Sequence, residues 1–516
     1  MDKTVSTKLN KFEIIFLIVT AVFIMTLVTT SSPIYPFNVW DDTNVYFTLG
    51  REILNGRVPY RDLYEQKGPI FLFLYSFAAL ISKTGFTGVW VLECIAASLF
   101  SVFSWKTVKL FINDIPKIAI GLVPLLLSGV YTIGMFNFGG SAEEICFPLL
   151  MIVFYVVLKM IRTGKEAMPD KREALICGAI AGVLLWTKYT FLGFMVSVVV
   201  LIIIRAVMTK NFRMLGTDIL SFLIGVAAAS LPVFIYFGVN GSLSYLWESY
   251  FYNNIFNYYS DIVYTGWFAN PVLRFFALPL LSIKCTFDWF NSYLVVMILS
   301  LAGIFVIDRK YRKSVLEFSL VSFIVFLFFL FTRPSFIYYY GYIMMYYSVF
   351  ALMLCVWLVK LFESKLSNKR LAALLSLIVM VFLTFNLLIK CKNYYLLRMD
   401  KEDLSQYILA EMINRTDDPK IITYDIIDGG FYLASGVHPS NRFFTTMNFI
   451  ENNKEAVEEQ ESLIEEGYFD YIITMRNDYE WDNYEIVTSS IEPCIDYTKE
   501  EFFYEFFLYQ RTDANA

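Results

Sequence analysis

Long apolar runs alternate with short polar breaks as far as residue 390, after which the chain changes character. Apolar segments fall at about 12–30, 88–108, 118–136, 145–159, 174–188, 190–205, 217–238, 291–307, 315–331, 338–359 and 371–389. Runs of this kind read as membrane-crossing helices. The eleven of them predict a mainly α, polytopic membrane protein. A further run at 69–82, "PIFLFLYSFAALIS", has only 14 residues. About 20 are needed to cross a bilayer at a rise of about 1.5 Å per residue. Beyond 390 the period shifts. "EDLSQYILAEMIN" (402–414) is helical, "KIITYDI" (420–426) and "FDYIITM" (469–475) are β-rich, and 451–466 is a charged helix. "YEIVTSS" and "EFFYEFFLYQR" add strands. This alternation predicts a small α/β unit with a partly parallel sheet. The expected division is therefore a membrane part, 1–390, and a C-terminal part, 391–516.

Composition agrees with the pattern: 57% of the 516 residues are hydrophobic, 18% are aromatic, and mean hydropathy is +0.55. Charge sharpens the division. From residue 400 onward there are 8 basic and 26 acidic residues, a net of −18, while the remainder carries +13. Two parts in different surroundings are implied. The seven cysteines lack metal-type spacing and read as packing residues. His438 is the only histidine, which excludes a His-rich metal site and a Ser-His-Asp triad in the membrane part.

Loop charges give the expected orientation. Lys3, Lys8 and Lys11 place the N-terminus in the cytoplasm. If 69–82 does not cross, then Lys109 and Lys117, the clusters at 159–172, 205–213 and 309–313, and Lys360, Lys365, Lys369 and Arg370 all fall inside. Lys390, Lys392 and Arg398, past the last helix, run mildly against this. The outer face is then 31–87, 137–144, the 188–190 turn, 239–290, 332–337 and the C-terminal part. The first helix, lacking a small-x-small cleavage site, reads as an uncleaved anchor in the cell membrane.

The candidate chemistry gathers on that outer face. Asp41 and Asp42 follow the first helix; each reads as a helix N-cap or as a reactive acid, before an interfacial helix over 43–54. The loop beyond holds Arg57, Tyr60, Arg61 and Lys67, either a solvated turn region or a phosphate-binding loop at headgroup depth. Glu143 and Glu144 begin an apolar helix, as dipole-favoured first-turn acids or as functional ones. Lys188 stands alone in an outer turn, snorkelling or binding. Arg333 precedes "FIYYYGY", with Tyr339 in an aromatic belt or a site. The aromatic and amide-rich 245–268 could line a sugar site or anchor at the interface. No Gly-rich phosphate loop is present; "IIDGGFYLASG" is too weak to count as a nucleotide site, and no nucleic-acid partner is expected.

In this order the motifs resemble those of GT-C glycosyltransferases of the protein O-mannosyltransferase and lipid A aminoarabinose transferase type. The likeness rests on "WDDTNVYFTLGREILNGRVPYRDLYEQKGPIF", then "GGSAEE", "LLWTKYTF" and "FIYYYGYIMMY". It runs from residue 12 to about 390, and "YLASGVHPSNRFF" matches a stretch of bacterial members with a short soluble tail. The resemblance implies a catalytic base at Asp42, with Asp41 adjacent, and a second acid at Glu143 or Glu144. It implies that Lys67 holds a lipid-linked phosphate. Arg57 and Arg61 are local helpers by charge rather than by the resemblance, with Tyr60 beside them, and Lys188, Arg333 and Tyr339 are further candidate substrate contacts. It also implies a divalent cation, Mg or Mn, on Asp42 and Glu144, although the family's extra His ligands have no counterpart. "QKGP" departs from the commoner Lys-Pro-Pro turn. The implied activity is inverting transfer of a sugar from a polyprenyl-phosphate donor to a hydroxyl of a lipid, glycan or protein, in cell-envelope glycan synthesis. A lipid-linked sugar flippase or transporter, a polysaccharide polymerase or ligase, and a noncatalytic scaffold are the competing readings.

Overall fold

The structure is a computed structural model and describes residues 7–132, 136, 138–164, 168–257, 270, 273, 295–329, 337–446, 454–495 and 501–512. Helix α1 (Lys11–Val28) opens on a reciprocal cap in which the Asn10 and Glu13 side chains each accept the other's backbone N–H, at 2.9 and 2.8 Å. The chain continues through α2 (Asp41–Leu54), α3 (Pro69–Ile81), α4 (Thr87–Phe111), α5 (Val123–Tyr131, entered by a 3₁₀ turn) and α6 (Ala142–Thr163). Next come α7 (Lys171–Lys188), α8 (Leu192–Thr209), α9 (Phe212–Val239) and α10 (Leu243–Leu246), which runs into a wide π-type helix, Trp247–Asn257. Helices α11 (Val295–Ile304), α12 (Arg309–Phe329), α13 (Ile337–Lys365) and α14 (Lys369–Leu388) complete the bundle. Each of the eleven apolar segments carries a helix. Among the described residues, seven continuous helical stretches are long and apolar enough to cross a membrane, with α7 and α8 counted as one. Helix α3, at 13 residues, is too short to cross.

The α7–α8 stretch is two antiparallel passes. Gly178 on α7 packs against Phe222 on α9, Gly182 against Val226 and Ala229, and Trp186 against Phe234. The numbers rise together, so α7 and α9 run parallel and α8 must run back antiparallel to both. The reversal occurs at the 3₁₀ turn Tyr189–Phe191. Small residues allow this approach; in lipid, close packing rather than hydrophobic exclusion holds helices together. Trp186 adds a hydrogen bond from Nε1 to Ser230 Oγ at 2.8 Å.

The C-terminal part follows the predicted pattern. Helices α15 (Ser405–Ile413), α16 (Phe431–Ser435) and α17 (Lys454–Glu465) accompany strands β1 (Ile421–Thr423), β2 (Tyr471–Thr474), β3 (Tyr484–Ile495) and β4 (Glu501–Arg511). The sheet order is β1-β2-β4-β3, with β1 and β2 parallel and the other pairs antiparallel. This part does not stand apart from the bundle. One apolar cluster joins Tyr46, Tyr60 and Tyr64 of the α2–α3 region to Leu409, Phe431 and Phe443 beyond α14. The rings of Phe37 and Tyr407 meet edge-on at 5.6 Å.

Candidate active site

At α2 the backbone of Trp40 provides the cap, and no side chain bonds the helix start. Asp41 and Asp42 are therefore not caps. They sit in the first turn, where the helix dipole favours their charge. Asp41 is exposed and lies near Gly429 of the C-terminal part; Asp42 is half-buried. One turn later Tyr46 is buried, its ring edge-on to Phe71 at 4.9 Å and to Tyr75 at 5.5 Å. Its phenol faces Asp42, with the Glu65 and Glu143 carboxylates also near. Burial pushes the phenol well above its ordinary pKa, and those carboxylates push it the same way, so Tyr46 stays protonated.

The loop before α3 is built around Lys67. The Lys67 N–H donates to the Glu65 carboxylate at 3.1 Å, and the Lys67 carbonyl accepts the Tyr60 hydroxyl at 2.6 Å. The Lys67 Nζ lies 5.4 Å from the centre of the Tyr46 ring. Glu65 is fully buried. Burial raises its pKa, opposed by Lys67 and by the backbone N–H groups of Gln66 and Lys67. Gly68 donates its N–H to the Thr187 carbonyl at 3.1 Å. A Cβ at 68 would overlap the Trp186 carbonyl and approach Thr187 N to 2.8 Å. This explains "QKGP": a proline there would remove the donor and collide with the end of α7. Asn253 and Asn254 of the π-type helix brace the same loop, donating to the Tyr64 hydroxyl at 3.0 Å and the Gln66 carbonyl at 2.7 Å.

Two glycines bring α6 to this point. Gly139 and Gly140 have φ of +83° and +84°, and a Cβ on either would meet Thr29 and Glu93 or Tyr75 and Thr43. Their carbonyls accept the Thr43 hydroxyl at 2.8 Å and the Tyr75 hydroxyl at 2.5 Å. Helix α6 then starts beside α2 and α3. Glu143, buried, forms an ion pair with Lys188 from the α7–α8 turn and also lies within the field of Lys67. Glu144 completes a capping box with Ser141, accepting its N–H at 3.0 Å. Asp42, Lys67 and Glu143 thus converge around Tyr46 from three separate segments, and Lys188 joins them through Glu143.

The other candidates are placed differently. Arg57 pairs with Glu52 at 3.4 Å; Arg61 pairs with Asp62 at 2.7 Å and reaches the Asn240 carbonyl at 3.1 Å. Tyr60 is buried and serves the loop backbone. Arg333 lies outside the described residues, and Tyr339 is on α13 with its side chain outside them. Nothing in the structure marks a site for a divalent cation on Asp42 and Glu144. Among the described residues no three His, Cys, Asp or Glu converge on one point. One Glu144 oxygen is committed to the cap, and Glu143 is already matched by two ammonium groups.

Glu93 and Glu52 carried no sequence signal strong enough to single them out, whereas His438 and Arg442 lie in the stretch "YLASGVHPSNRFF" without a sign of what they would touch. Glu93 of α4 is buried beside Glu144; its one sign was a lone acid inside an apolar run. Glu52 is buried under His438, at 2.6 Å, and Arg442 reaches the Tyr60 carbonyl at 3.0 Å. Both contacts join positions more than 380 residues apart.

No family model matches the chain, and no curated protein matches it in sequence. Solved structures do. The chain superposes on ArnT from Cupriavidus metallidurans bound to undecaprenyl phosphate with a TM-score of 0.59 at 12% identity, covering 98% of each chain. It superposes on the same protein in the apo state with a TM-score of 0.59 at 11% identity and the same coverage. The GT-C fold expected from the sequence motifs is thereby shown over nearly the whole chain.

Proposed function

We propose that this protein transfers a sugar from a polyprenyl-phosphate carrier to an acceptor hydroxyl, with inversion, at the membrane face from which the C-terminal part projects. The supporting observation is the meeting of Asp42, Lys67 and Glu143 around the buried Tyr46, with Lys188 paired to Glu143, in a fold shared with a protein solved with undecaprenyl phosphate. Asp42 accepts the proton of the attacking hydroxyl. The new C–O bond forms at the anomeric carbon opposite the breaking bond to the carrier phosphate. The phosphate leaves with the bonding electrons, and the Lys67 ammonium meets its growing charge. Glu143 holds Lys188 beside this point, and Tyr46, kept protonated, lines it next to Asp42.

Orientation follows from the loops. Lys159, Arg162, Lys171, Arg172, Lys210 and Arg213 lie at the helix ends opposite the site. The positive-inside rule puts that end, and the N-terminus, in the cytoplasm of a cell-membrane protein, with the C-terminal part outside. Acceptors of this class are lipid, glycan or protein hydroxyls of the cell envelope.

The test is release of polyprenyl phosphate from polyprenyl-phosphate sugars by the purified full chain, with envelope glycans compared by mass spectrometry with and without the gene. Asp42→Asn is expected to lower turnover by about 10²–10⁴ while leaving binding of undecaprenyl phosphate intact. Full turnover by Asp42→Asn would sink this assignment.

A further inference from the structure

Arg442 lies in the strap between α16 and α17, far from Lys67 in sequence, and its side chain is 14% exposed. Its Nε donates to the Tyr60 carbonyl at 3.0 Å, and its own carbonyl accepts the Tyr64 N–H at 2.9 Å. One residue therefore grips the first polar loop at two points. The rest of its guanidinium is fixed as well. Nη1 meets Glu455 of α17 at 3.0 Å and Nη2 meets Glu248 of the π-type helix at 3.5 Å, with the Tyr64, Tyr245 and Phe443 rings around it. A planar fork with all three nitrogens engaged holds one orientation.

What it grips is a strained turn. Tyr60 has φ of +70°, a left-handed conformation that a non-glycine residue keeps only when its surroundings hold it there. The Tyr60 N–H closes the turn on the Leu63 carbonyl at 2.7 Å, and the Tyr60 hydroxyl reaches the Lys67 carbonyl at 2.6 Å. With the Lys67 N–H held by Glu65, both backbone groups of Lys67 are fixed.

We infer that Arg442 is a positioning residue for the donor site: acting through Tyr60, it sets the backbone from which Lys67 reaches the carrier phosphate. The acidic C-terminal part is then an internal component of that site rather than an attached binding module. This rests on the reading above that Lys67 meets the phosphate.

The test measures affinity of the detergent-purified full chain for undecaprenyl phosphate, which needs no sugar and no acceptor. Lys67→Met is expected to weaken binding at least tenfold, and Arg442→Met and Tyr60→Phe about fivefold each. Combining either with Lys67→Met is expected to add nothing, because both act through Lys67. Tyr60→Phe removes one hydroxyl and keeps the packing, so it tests the chain of contacts even if Arg442→Met misfolds. Unchanged binding by Lys67→Met would overturn the phosphate reading and this inference together. A loss with Lys67→Met but none with Tyr60→Phe, or losses that multiply in the double variants, would overturn the inference alone.

Discussion

Replacing Lys188 by Met removes the cation paired with Glu143 and leaves the carboxylate in place. The Glu143 and Lys188 side chains are only 8% and 15% exposed, so water replaces little of what is lost. Removing one partner of a buried pair costs about 3–5 kcal/mol, because the remaining charge is left uncompensated. Lys67 still acts on Glu143, which puts the expected cost at the lower end, about 3 kcal/mol. Replacing both partners, Lys188→Met with Glu143→Leu, removes the stranded charge and is expected to recover most of that loss, to within about 1 kcal/mol of the parent. Reversible unfolding of the parent, Lys188→Met, Glu143→Leu and the double variant in mixed detergent micelles, monitored by tryptophan fluorescence, gives the losses to compare. A single variant within about 0.5 kcal/mol of the parent, or a double variant that sums the two single losses, would refute the reasoning.

Other substitutions test separate steps. Gly68→Pro loses the N–H bonded to Thr187 and collides with the Trp186 carbonyl; overpacking and an unpaired buried acceptor together predict a loss of about 2–5 kcal/mol, read in the same unfolding assay. Gly178→Val on α7 would drive a side chain into the Phe222 backbone, and a drop in melting temperature with loss of monodispersity is expected. Burial pushes the Asp428 carboxyl up to about 6, against the Gly430, Phe431 and Tyr432 N–H groups and Arg51. The folded state then holds the proton more tightly than the unfolded one. The stability that Asp428 contributes is fully present below about pH 4 and is lost, by about 3 kcal/mol, as pH rises through about 6. Asp428→Asn is expected to flatten that part of the stability–pH curve; an unchanged slope would disprove the assignment.

Much of the architecture was legible because its signals are local. Apolar runs marked all eleven bundle segments, and "KIITYDI" and "FDYIITM" marked the parallel pair β1 and β2. The site was legible in its parts but not in its assembly. Aspartate's preference for helix caps pointed to Asp41 and Asp42 as caps, yet the backbone of Trp40 begins the helix and both acids stay in its first turn. Lys188 gave no sign of its partner, because Glu143 is 45 residues away on another helix. Surface charge also misled about the C-terminal part. Its acidity describes what faces water, whereas Phe431, Tyr432 and Phe443 are buried with Tyr46, Tyr60 and Tyr64 in one core.

The sequence by itself determined which segments are apolar enough for a membrane, where helix gives way to sheet, and which acids and bases were available at one end of the bundle. Hydrophobic periodicity and net charge are sums over neighbouring residues, and a single chain displays them directly. Only the tertiary structure decided which of those groups come together. That depends on backbones meeting at Gly68, Gly139 and Gly140, where a missing Cβ lets elements distant in sequence touch. Where they touch, buried charge is met across the fold, as Lys188 meets Glu143.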